Sequence, residues 1–488
     1  MTRILVSLVL FVLFAGIGSA TQPNIIFILS DDLGWGDLGC YGQQEIQTPN
    51  IDRLATEGIR FVNAYAGNSV CAPSRSCLMQ GLHPGHARVR DNGYREYRHS
   101  LQQEDVTVAE VLRDAGYRTG LFGKWGLGLS RQPGTPGAKG FDEFFGYLNQ
   151  RKAHSYYPPF LWHNTEKIFF PQHAGHQHRQ QSSYDENGHV IPRGIKNPAQ
   201  ARYSFDLIHE RSLDFVRQNH QQPFFLYLAH TIPHGPIIAP DLGPYRDTDW
   251  PVGHKEWAAM ITRLDHAVGD VLSLLEELQI DDQTLVFFAS DNGCSLRGYD
   301  RDRTVVRISE HFQSGGPTRG GKGDTYDGAF RVPAVARWPG HIEAGQVSDH
   351  VWAFWDVLPT TAELAGATTP EGIDGISLLP TLLGDPENQQ QHDYLYWEFQ
   401  QNQAVRHNDW FAHRKNGGQV ELYDLEQDPQ QRYDLAGENR ALAAKVLTWM
   451  QQSHQPSEVW PSPGESSTAF AERLQQAGVP KRARNVDD

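Results

Sequence analysis

The sequence contains few cysteines: four in 488 residues, namely Cys40, Cys71, Cys77 and Cys294. This number excludes a small disulfide-stabilised scaffold, which carries many cysteines in a short chain. The sequence also contains no Asn-x-Ser/Thr site with x other than Pro, the acceptor of N-linked glycans. Large secreted eukaryotic proteins usually carry such sites, so we expect a bacterial protein.

Basic residues are in the minority. The 43 Lys and Arg residues are outnumbered by 58 Asp and Glu residues, which gives a formal net charge of −15. A nucleic-acid-binding protein needs a basic surface to neutralise phosphates, so this balance predicts no nucleic-acid partner. Any anionic ligand must therefore be bound by a locally basic site.

Long hydrophobic runs are confined to the N-terminus. Ile4 to Ile17 is almost wholly apolar, follows Arg3 and precedes the small residues Gly18-Ser19-Ala20. This order is typical of a secretory signal peptide, so we predict that residues 1–20 are removed and that the mature chain is exported to the periplasm or the extracellular space. An uncleaved anchor is the alternative. No later run could span a bilayer, which predicts no transmembrane segment in the mature chain.

Residues 21–385 alternate between two patterns. Apolar runs typical of strands buried on both faces occur at 24–30, 59–65, 117–122, 223–229, 284–290 and 332–338. Helical spacing occurs at 107–115, 204–218 and 257–278, the first with a capping-box pattern of Thr107 and Glu110. This alternation predicts an α/β domain with a large, mainly parallel central sheet sandwiched by helices.

Residues 386–488 have a different pattern. Short, aromatic, partly alternating segments lie at 394–399, 404–415 and 419–425, and a helical pattern follows at 440–452. They predict a smaller C-terminal subdomain with a short antiparallel sheet and a helix. From Ser453 the sequence is polar, and we expect a surface tail.

Polar side chains follow two of the predicted buried strands. Asp31 and Asp32 come directly after the first strand, and Asp291 and Asn292 come after the strand at 284–290. Ligands of parallel sheets bind beyond the carboxyl ends of the strands, and such oxygen donors suit a hard cation. Either pair alone could be a turn or a helix cap. Together they predict a Ca²⁺ site, with Mg²⁺ as the alternative.

The most specific motif is Cys71-Ala72-Pro73-Ser74-Arg75, in a turn-like stretch that we place just ahead of a helix at 76–81. It resembles the Cys-x-Pro-Ser-Arg signature of type I sulfatases of the alkaline phosphatase superfamily. Further segments resemble the motifs of this family in the same order: DDLGWGD at 31–37, GYRT at 116–119 with GKW at 123–125, SDNG at 290–293, GKG at 321–323 with RVP at 331–333, and LYDL at 422–425.

The resemblance implies a site. Cys71 would be oxidised by a formylglycine-generating maturation enzyme, and the aldehyde hydrate would be both nucleophile and metal ligand. Arg75 would brace this nucleophile, and His234 would protonate the leaving oxygen, with His230 as a less favoured alternative. Lys124 and Lys322 would supply positive charge near the sulfate, and the metal ligands would be Asp31, Asp32, Cys71, Asp291 and Asn292.

The sequence departs from the family at Gly126, where sulfatases commonly carry an active-site histidine. We consider His154 as its substitute and as a substrate-binding residue, and an ordinary loop histidine is the alternative. The segment from Leu296 to Lys322 carries six basic and three acidic residues. We expect Arg297 and Arg319 to line the substrate wall, whereas a solvated charged loop is the alternative.

These observations predict a sulfuric ester hydrolase that acts on a sulfated carbohydrate. One alternative is a phosphoester or phosphonate hydrolase, since members of the same superfamily share the metal and nucleophile plan. A protein that binds sulfated glycans without hydrolysing them is another alternative, suggested by the histidine missing at Gly126.

Overall fold

A computed structural model describes residues 22–92, 100–175, 183–195, 197–295, 298–299, 305–306 and 308–476. The predicted signal peptide lies outside these residues. The strands are β1 (Asn24–Asp31), β2 (Ile59–Phe61), β3 (Ala64–Tyr65), β4 (Arg118–Lys124), β5 (Glu143–Tyr147), β6 (Phe160–His163), β7 (Glu166–Phe169), β8 (Ser183–Tyr184), β9 (Val190–Ile191), β10 (Phe224–Pro233), β11 (Thr284–Ser290), β12 (Gly298–Tyr299), β13 (Val305–Val306), β14 (Ala334–Arg337), β15 (Gln346–Ser348), β16 (Trp352–Ala353), β17 (Leu395–Phe399), β18 (Asn402–His407), β19 (Trp410–Arg414) and β20 (Val420–Asp424).

The α-helices are α1 (Pro49–Thr56), α2 (Cys71–Gln80), α3 (Val108–Asp114), α4 (Ser204–Asn219), α5 (Val252–Glu277), α6 (Ile308–His311), α7 (Asp327–Phe330), α8 (Val357–Leu364), α9 (Leu379–Leu382), α10 (Arg440–Ser453) and α11 (Ser467–Gln476). The predicted capping box is present, because the Thr107 hydroxyl accepts a hydrogen bond from the Glu110 N–H and the Glu110 carboxylate accepts one from the Thr107 N–H. None of the helices in the described ranges is long and apolar enough to cross a membrane.

The central sheet has ten strands in the order β15-β2-β14-β11-β1-β10-β4-β5-β6-β7. Its middle five strands, from β11 to β5, run parallel, while β14, β6 and β7 introduce antiparallel pairs toward the edges. The predicted α/β fold with a mainly parallel sheet is therefore confirmed, although the strand predicted at 332–338 pairs antiparallel to β11.

Strand β1 lies in the middle of the sheet and is buried along its whole length. Ile26 and Ile28 pack into the core on the side of α4 and α5, whereas Ile25, Phe27 and Leu29 pack into the core on the side of α3 and α8. Burial on both faces explains why the strand is an unbroken apolar run. The polar residues at the carboxyl end of β1 therefore lie at the edge of the sheet, next to both hydrophobic cores.

The C-terminal sheet is antiparallel, in the order β17-β18-β19-β20, and α10 packs against β18 and β20. The predicted small sheet and helix are thus present. The segment after Ser453, where we expected a surface tail, is partly helical and partly buried. It contains α11, and the indole of Trp460 is buried and donates a 2.9 Å hydrogen bond from its N–H to the carbonyl of Arg88. A single apolar anchor in a polar segment carries no periodicity from which this packing could be predicted.

Candidate active site

Two parallel strands bring the predicted oxygen donors together. β1 and β11 pair in register up to Ser30 and Ser290, so the residues that follow them leave the sheet side by side. The backbone N–H of Asp32 lies 3.3 Å from Asp291 Oδ1, and Asn292 Nδ2 donates a 2.9 Å hydrogen bond to Asp32 Oδ1. Asp31, Asp32, Asp291 and Asn292 are all buried.

Cys71 is the first residue of α2 and not part of a turn before it. Helix α2 therefore begins five residues earlier than we expected. Pro73 misled the prediction, but proline is tolerated in the first turn of a helix, where the backbone N–H groups have no partner inside the helix. The Cys71 Sγ atom lies 3.4 Å from Asp31 Oδ1 and 3.4 Å from Lys322 Nζ.

Three cationic side chains pair with the three carboxylates of the site. Lys124 Nζ is 2.6 Å from Asp31 Oδ2, and Lys322 Nζ is 2.6 Å from Asp32 Oδ1. Arg75 directs Nε and Nη2 to Asp291 Oδ2, at 3.1 and 2.8 Å. Three formal negative and three formal positive charges cancel, so a bound divalent cation would make the site positive, as an anionic ester requires.

Burial and the local charges together lower the pKa of Asp31 and raise the pKa values of Asp291 and Cys71. Burial alone would raise the pKa of Asp31, but Lys124, His234, Arg75 and Lys322 lower it well below 3.8. Burial and then the neighbouring Asp31 raise the pKa of Asp291. Burial and Asp31 also raise the pKa of the Cys71 thiol to about 12. An unmodified Cys71 is therefore a neutral thiol at physiological pH and a poor nucleophile.

The residues fit a hard divalent cation. One ligand atom from each of Asp31, Asp32, Cys71 and His234 lies within 4.8 Å of the others. Asn292 Oδ1 is buried and has no hydrogen-bond partner within the described ranges, as expected of an oxygen that ligates a cation. A donor set dominated by carboxylate and amide oxygens suits Ca²⁺ or Mg²⁺. His234 belongs to this cluster, although the sequence suggested only a proton-transfer role for it.

Two histidines lie against each other at the end of β10. His234 Nε2 is 3.6 Å from Asp32 Oδ2, and its ring stacks on that of His154, with 3.8 Å between centroids and 16° between planes. Burial and Lys322 lower the pKa of His234 to about 4, so its imidazole is neutral at neutral pH. The alternative residue, His230, instead packs against Phe205 on the α4 side of the sheet, with ring centroids 4.4 Å apart.

Sequence comparison identifies the family. A model of the sulfatase family matches residues 23–367, and a model of the C-terminal region of N-sulphoglucosamine sulphohydrolase matches residues 322–455. The chain belongs to the sulfatase family. It is a type I sulfatase of the alkaline phosphatase superfamily, which confirms the resemblance seen in its motifs.

The sulfatase is 35% identical to Homo sapiens N-acetylgalactosamine-6-sulfatase over 387 residues, which cover 75% of this chain and 67% of that protein. It is 34% identical to Homo sapiens arylsulfatase A over 487 residues, 91% of this chain and 89% of that protein. The solved structure of Ps i-CgsB in complex with k-i-k-neocarrahexaose superposes with a TM-score of 0.74 at 27% identity and covers 94% of this chain and 98% of that one.

Neither of the two arginines predicted to line the substrate wall is found in this cluster of described residues. The Arg319 guanidinium lies over the ring of Tyr326, 3.7 Å from its centroid, and donates a 2.7 Å hydrogen bond to the carbonyl of Gln431. Arg319 thus connects the loop before α7 to the C-terminal part of the chain. Arg297 falls outside the described residues, so its place in a substrate wall stays a prediction.

Two residues that adjoin the site were not among the predicted site residues. Tyr156 donates hydrogen bonds to the carbonyls of Thr231 and His234 and so holds the loop that carries His234. Gln150 packs beside Gly126, where a β-carbon would lie 3.2 Å from Gln150 Oε1. No motif in the sequence identifies Gln150 as a site residue. The one sequence feature that could have done so is its position four residues before His154, which we considered as the substitute for the histidine missing at Gly126.

Proposed function

We propose that this sulfatase hydrolyses sulfate monoesters of a carbohydrate and that its nucleophile is a formylglycine formed from Cys71. The observation that carries this proposal is the place of Cys71: a thiol with a raised pKa, buried between Asp31 and Lys322 at the carboxyl edge of the sheet. Such a thiol cannot attack as a thiolate, so the position gains its chemistry by modification.

The modified residue and the cation each supply one kind of chemistry. A formylglycine hydrate at residue 71 would supply two hydroxyl groups on one carbon, one as the nucleophile for sulfur and one that would allow the sulfate to leave without attack by water on a sulfated enzyme. A divalent cation would be held by residue 71, Asp31, Asp32, Asp291 and Asn292, and it would supply positive charge to the sulfate oxygens. We favour Ca²⁺, with Mg²⁺ as the alternative, because the donors are oxygen atoms.

The side chains of the chain itself then bind and orient the ester. Lys124 is fixed by Asp31 and Lys322 by Asp32, and both place positive charge near residue 71. Such preorganised charges stabilise the negative charge that develops on the sulfate and leaving oxygens. Arg75 fixes Asp291 and also donates a 2.8 Å hydrogen bond to the carbonyl of Lys124, so that it orients both a metal ligand and a binding residue.

His234 is the residue that we assign to proton transfer. Its imidazole is neutral in the free protein, with Nδ1 hydrogen bonded to the carbonyl of Gly235 and Nε2 near Asp32. Binding of an anionic ester raises its proton affinity, and the protonated ring can then donate to the departing alcohol. The proton gained by the alkoxide thus comes from His234.

A carbohydrate substrate is supported by the relatives. The curated relative with 35% identity is named for N-acetylgalactosamine 6-sulfate, and the solved structure with a TM-score of 0.74 contains a neocarrahexaose. We accordingly propose a sulfated glycan as substrate and a maturation enzyme as partner. We also propose export through a signal peptide at residues 1–20, a catalytic domain at 21–385 and a C-terminal subdomain at 386–488.

The test compares two cysteines of the same helix. Cys71→Ala should abolish sulfate release from a sulfated oligosaccharide and from 4-nitrophenyl sulfate, while Cys77→Ala, which alters only a buried packing position, should retain it. Protein produced with the maturation enzyme should show the formylglycine mass in the peptide that contains residue 71. Sulfate release by Cys71→Ala, or by protein carrying only the thiol, would overturn the proposed nucleophile.

The same assay separates the alternatives. A phosphoester or phosphonate hydrolase would turn over 4-nitrophenyl phosphate or a phosphonate monoester faster than the sulfate. A glycan-binding protein without turnover would retain the oligosaccharide while releasing no sulfate from matured protein.

A further inference from the structure

Two buried polar groups next to the active site lack a hydrogen-bond partner among the residues that the structure describes. They are Gln150 Oε1 and His154 Nε2, on side chains of residues that are 7% and 6% exposed. Buried polar atoms in folded proteins are nearly always hydrogen bonded, so an unpartnered pair beside a reactive centre indicates groups that await a ligand. Neither residue is used by the chemistry described above.

Gly126 makes room for Gln150. A β-carbon on residue 126 would lie 3.2 Å from Gln150 Oε1 and 3.4 Å from Gln150 Cβ, so a larger side chain there would compete with Gln150 for the same space. Gly126 also has φ of 84°, which favours glycine. Since Gly126 follows Lys124 by two residues, the Gln150 amide lies on the flank of the site where the family histidine is missing.

His154 occupies the adjoining flank. Its ring lies against that of His234, whose Nε2 is in turn 3.6 Å from Asp32. The Gln150 amide oxygen only accepts hydrogen bonds, so it suits the O–H of a hydroxyl group and not a second anion, and the His154 nitrogen can share that hydroxyl group.

The segment that carries both residues is held rigidly. Tyr147 Oη donates a 2.6 Å hydrogen bond to the carbonyl of Ser155, and the N–H of Ser204 donates a 2.8 Å hydrogen bond to the carbonyl of Tyr156. The Arg151 N–H is bound by Asn149 Oδ1 at 2.9 Å. These bonds fix the backbone from which Gln150 and His154 extend, which lowers the entropy cost of binding a substrate there.

We propose that Gln150 and His154 form a polar wall that binds a hydroxyl group of the sugar beside the carbon that carries the sulfate. This inference rests on the proposed sulfatase function and adds a specificity determinant to it. An unsubstituted aryl sulfate has no such hydroxyl and leaves the wall unpaired. A site that hydrogen bonds a substrate hydroxyl discriminates strongly against analogues without one.

The experiment measures a ratio in each variant: kcat/KM for a sulfated oligosaccharide divided by kcat/KM for 4-nitrophenyl sulfate. Gln150→Leu and His154→Phe should each lower this ratio at least tenfold, because the sugar loses a hydrogen bond that the aryl ester never makes. His154→Phe keeps a ring against His234. Gln221→Leu, at an exposed position, is the matched control and should leave the ratio unchanged.

A ratio does not depend on the fraction of folded protein, so partly unfolded variants remain informative. Gly126→Ala tests the same wall without deleting it, because its methyl group displaces the Gln150 amide, and it should lower the ratio in the same direction. Equal losses on both esters, or no loss, in Gln150→Leu and His154→Phe would overturn the inference alone. Wild-type protein that releases sulfate from neither ester would overturn the proposed function together with it.

Discussion

Replacing Arg75 with Met removes the cation that faces Asp291 in the buried site. Arg75 is 1% exposed and Asp291 is fully buried, and the guanidinium makes two hydrogen bonds to one carboxylate oxygen. Removing one partner of a buried ion pair leaves an uncompensated charge, so we expect Arg75→Met to lower the free energy of unfolding by about 3–5 kcal/mol.

We expect this loss of stability to come from the ion pair between Arg75 and Asp291 and not from Arg75 alone. Asp291→Asn keeps the shape of the side chain but removes its charge, so Arg75→Met in that background leaves no buried carboxylate at position 291. The double variant should therefore lose less stability than the sum of the single variants, with a coupling of about 2–3 kcal/mol. Asp31, 3.9 Å from Arg75 Nη2, limits the penalty in the Asp291→Asn single variant.

Urea unfolding followed by tryptophan fluorescence measures the four proteins of this cycle. Arg53→Met is a suitable control, because Arg53 pairs with Glu57 on the surface, where both side chains are more than a third exposed. Such a pair contributes less than about 1 kcal/mol. Losses that simply add between Arg75→Met and Asp291→Asn would refute the assignment of Arg75 as the counter-charge of Asp291.

Three further predictions concern the cation, a buried histidine and a helix cap. Adding Ca²⁺ to metal-stripped protein should raise the unfolding temperature, and Asn292→Leu should weaken this response because it removes a buried oxygen that no other described residue binds; an unchanged response would contradict the ligand set. Burial lowers the pKa of His83 from 6.5 to about 4. Below pH 6.5 the unfolded chain therefore binds a proton at His83 that the folded protein does not bind. The free energy of unfolding should accordingly fall by about 2 kcal/mol between pH 7 and pH 5. Urea midpoints at both pH values should show a smaller pH-dependent loss in His83→Gln, and an equal loss would exclude His83 as its source. Thr107→Ala should destabilise the chain by about 1–2 kcal/mol in the same assay, because Thr107 caps α3 and donates to the carbonyl of Lys139; a neutral effect would contradict this.

Local sequence patterns predicted the elements that position the site. β1 and β11 are apolar runs buried on both faces, and the polar residues at their ends lie together because parallel strands share a carboxyl edge. Lys124 and Lys322 were reached only through the family resemblance, since a lone lysine in a strand or loop carries no pattern of its own.

Other features depend on contacts between distant parts of the chain. The start of α2 at Cys71 was missed because Pro73 favours a turn when it is considered alone, while the first helical turn tolerates it. The position of Gln150 follows from the space that Gly126 leaves, which no local propensity encodes. The burial of Trp460 likewise needs the carbonyl of Arg88, 372 residues earlier in the chain.

The inaccessibility of Cys71 sets an order of events for the life of this protein. The residue is 1% exposed at the start of a helix whose residues are all buried, so no enzyme can reach its side chain once the domain has closed around it. The oxidation that we propose at this position must therefore occur on a nascent or still extended polypeptide. A chain that folds before this oxidation keeps the unmodified thiol at residue 71. The yield of soluble recombinant protein therefore does not measure the fraction that carries the modified residue.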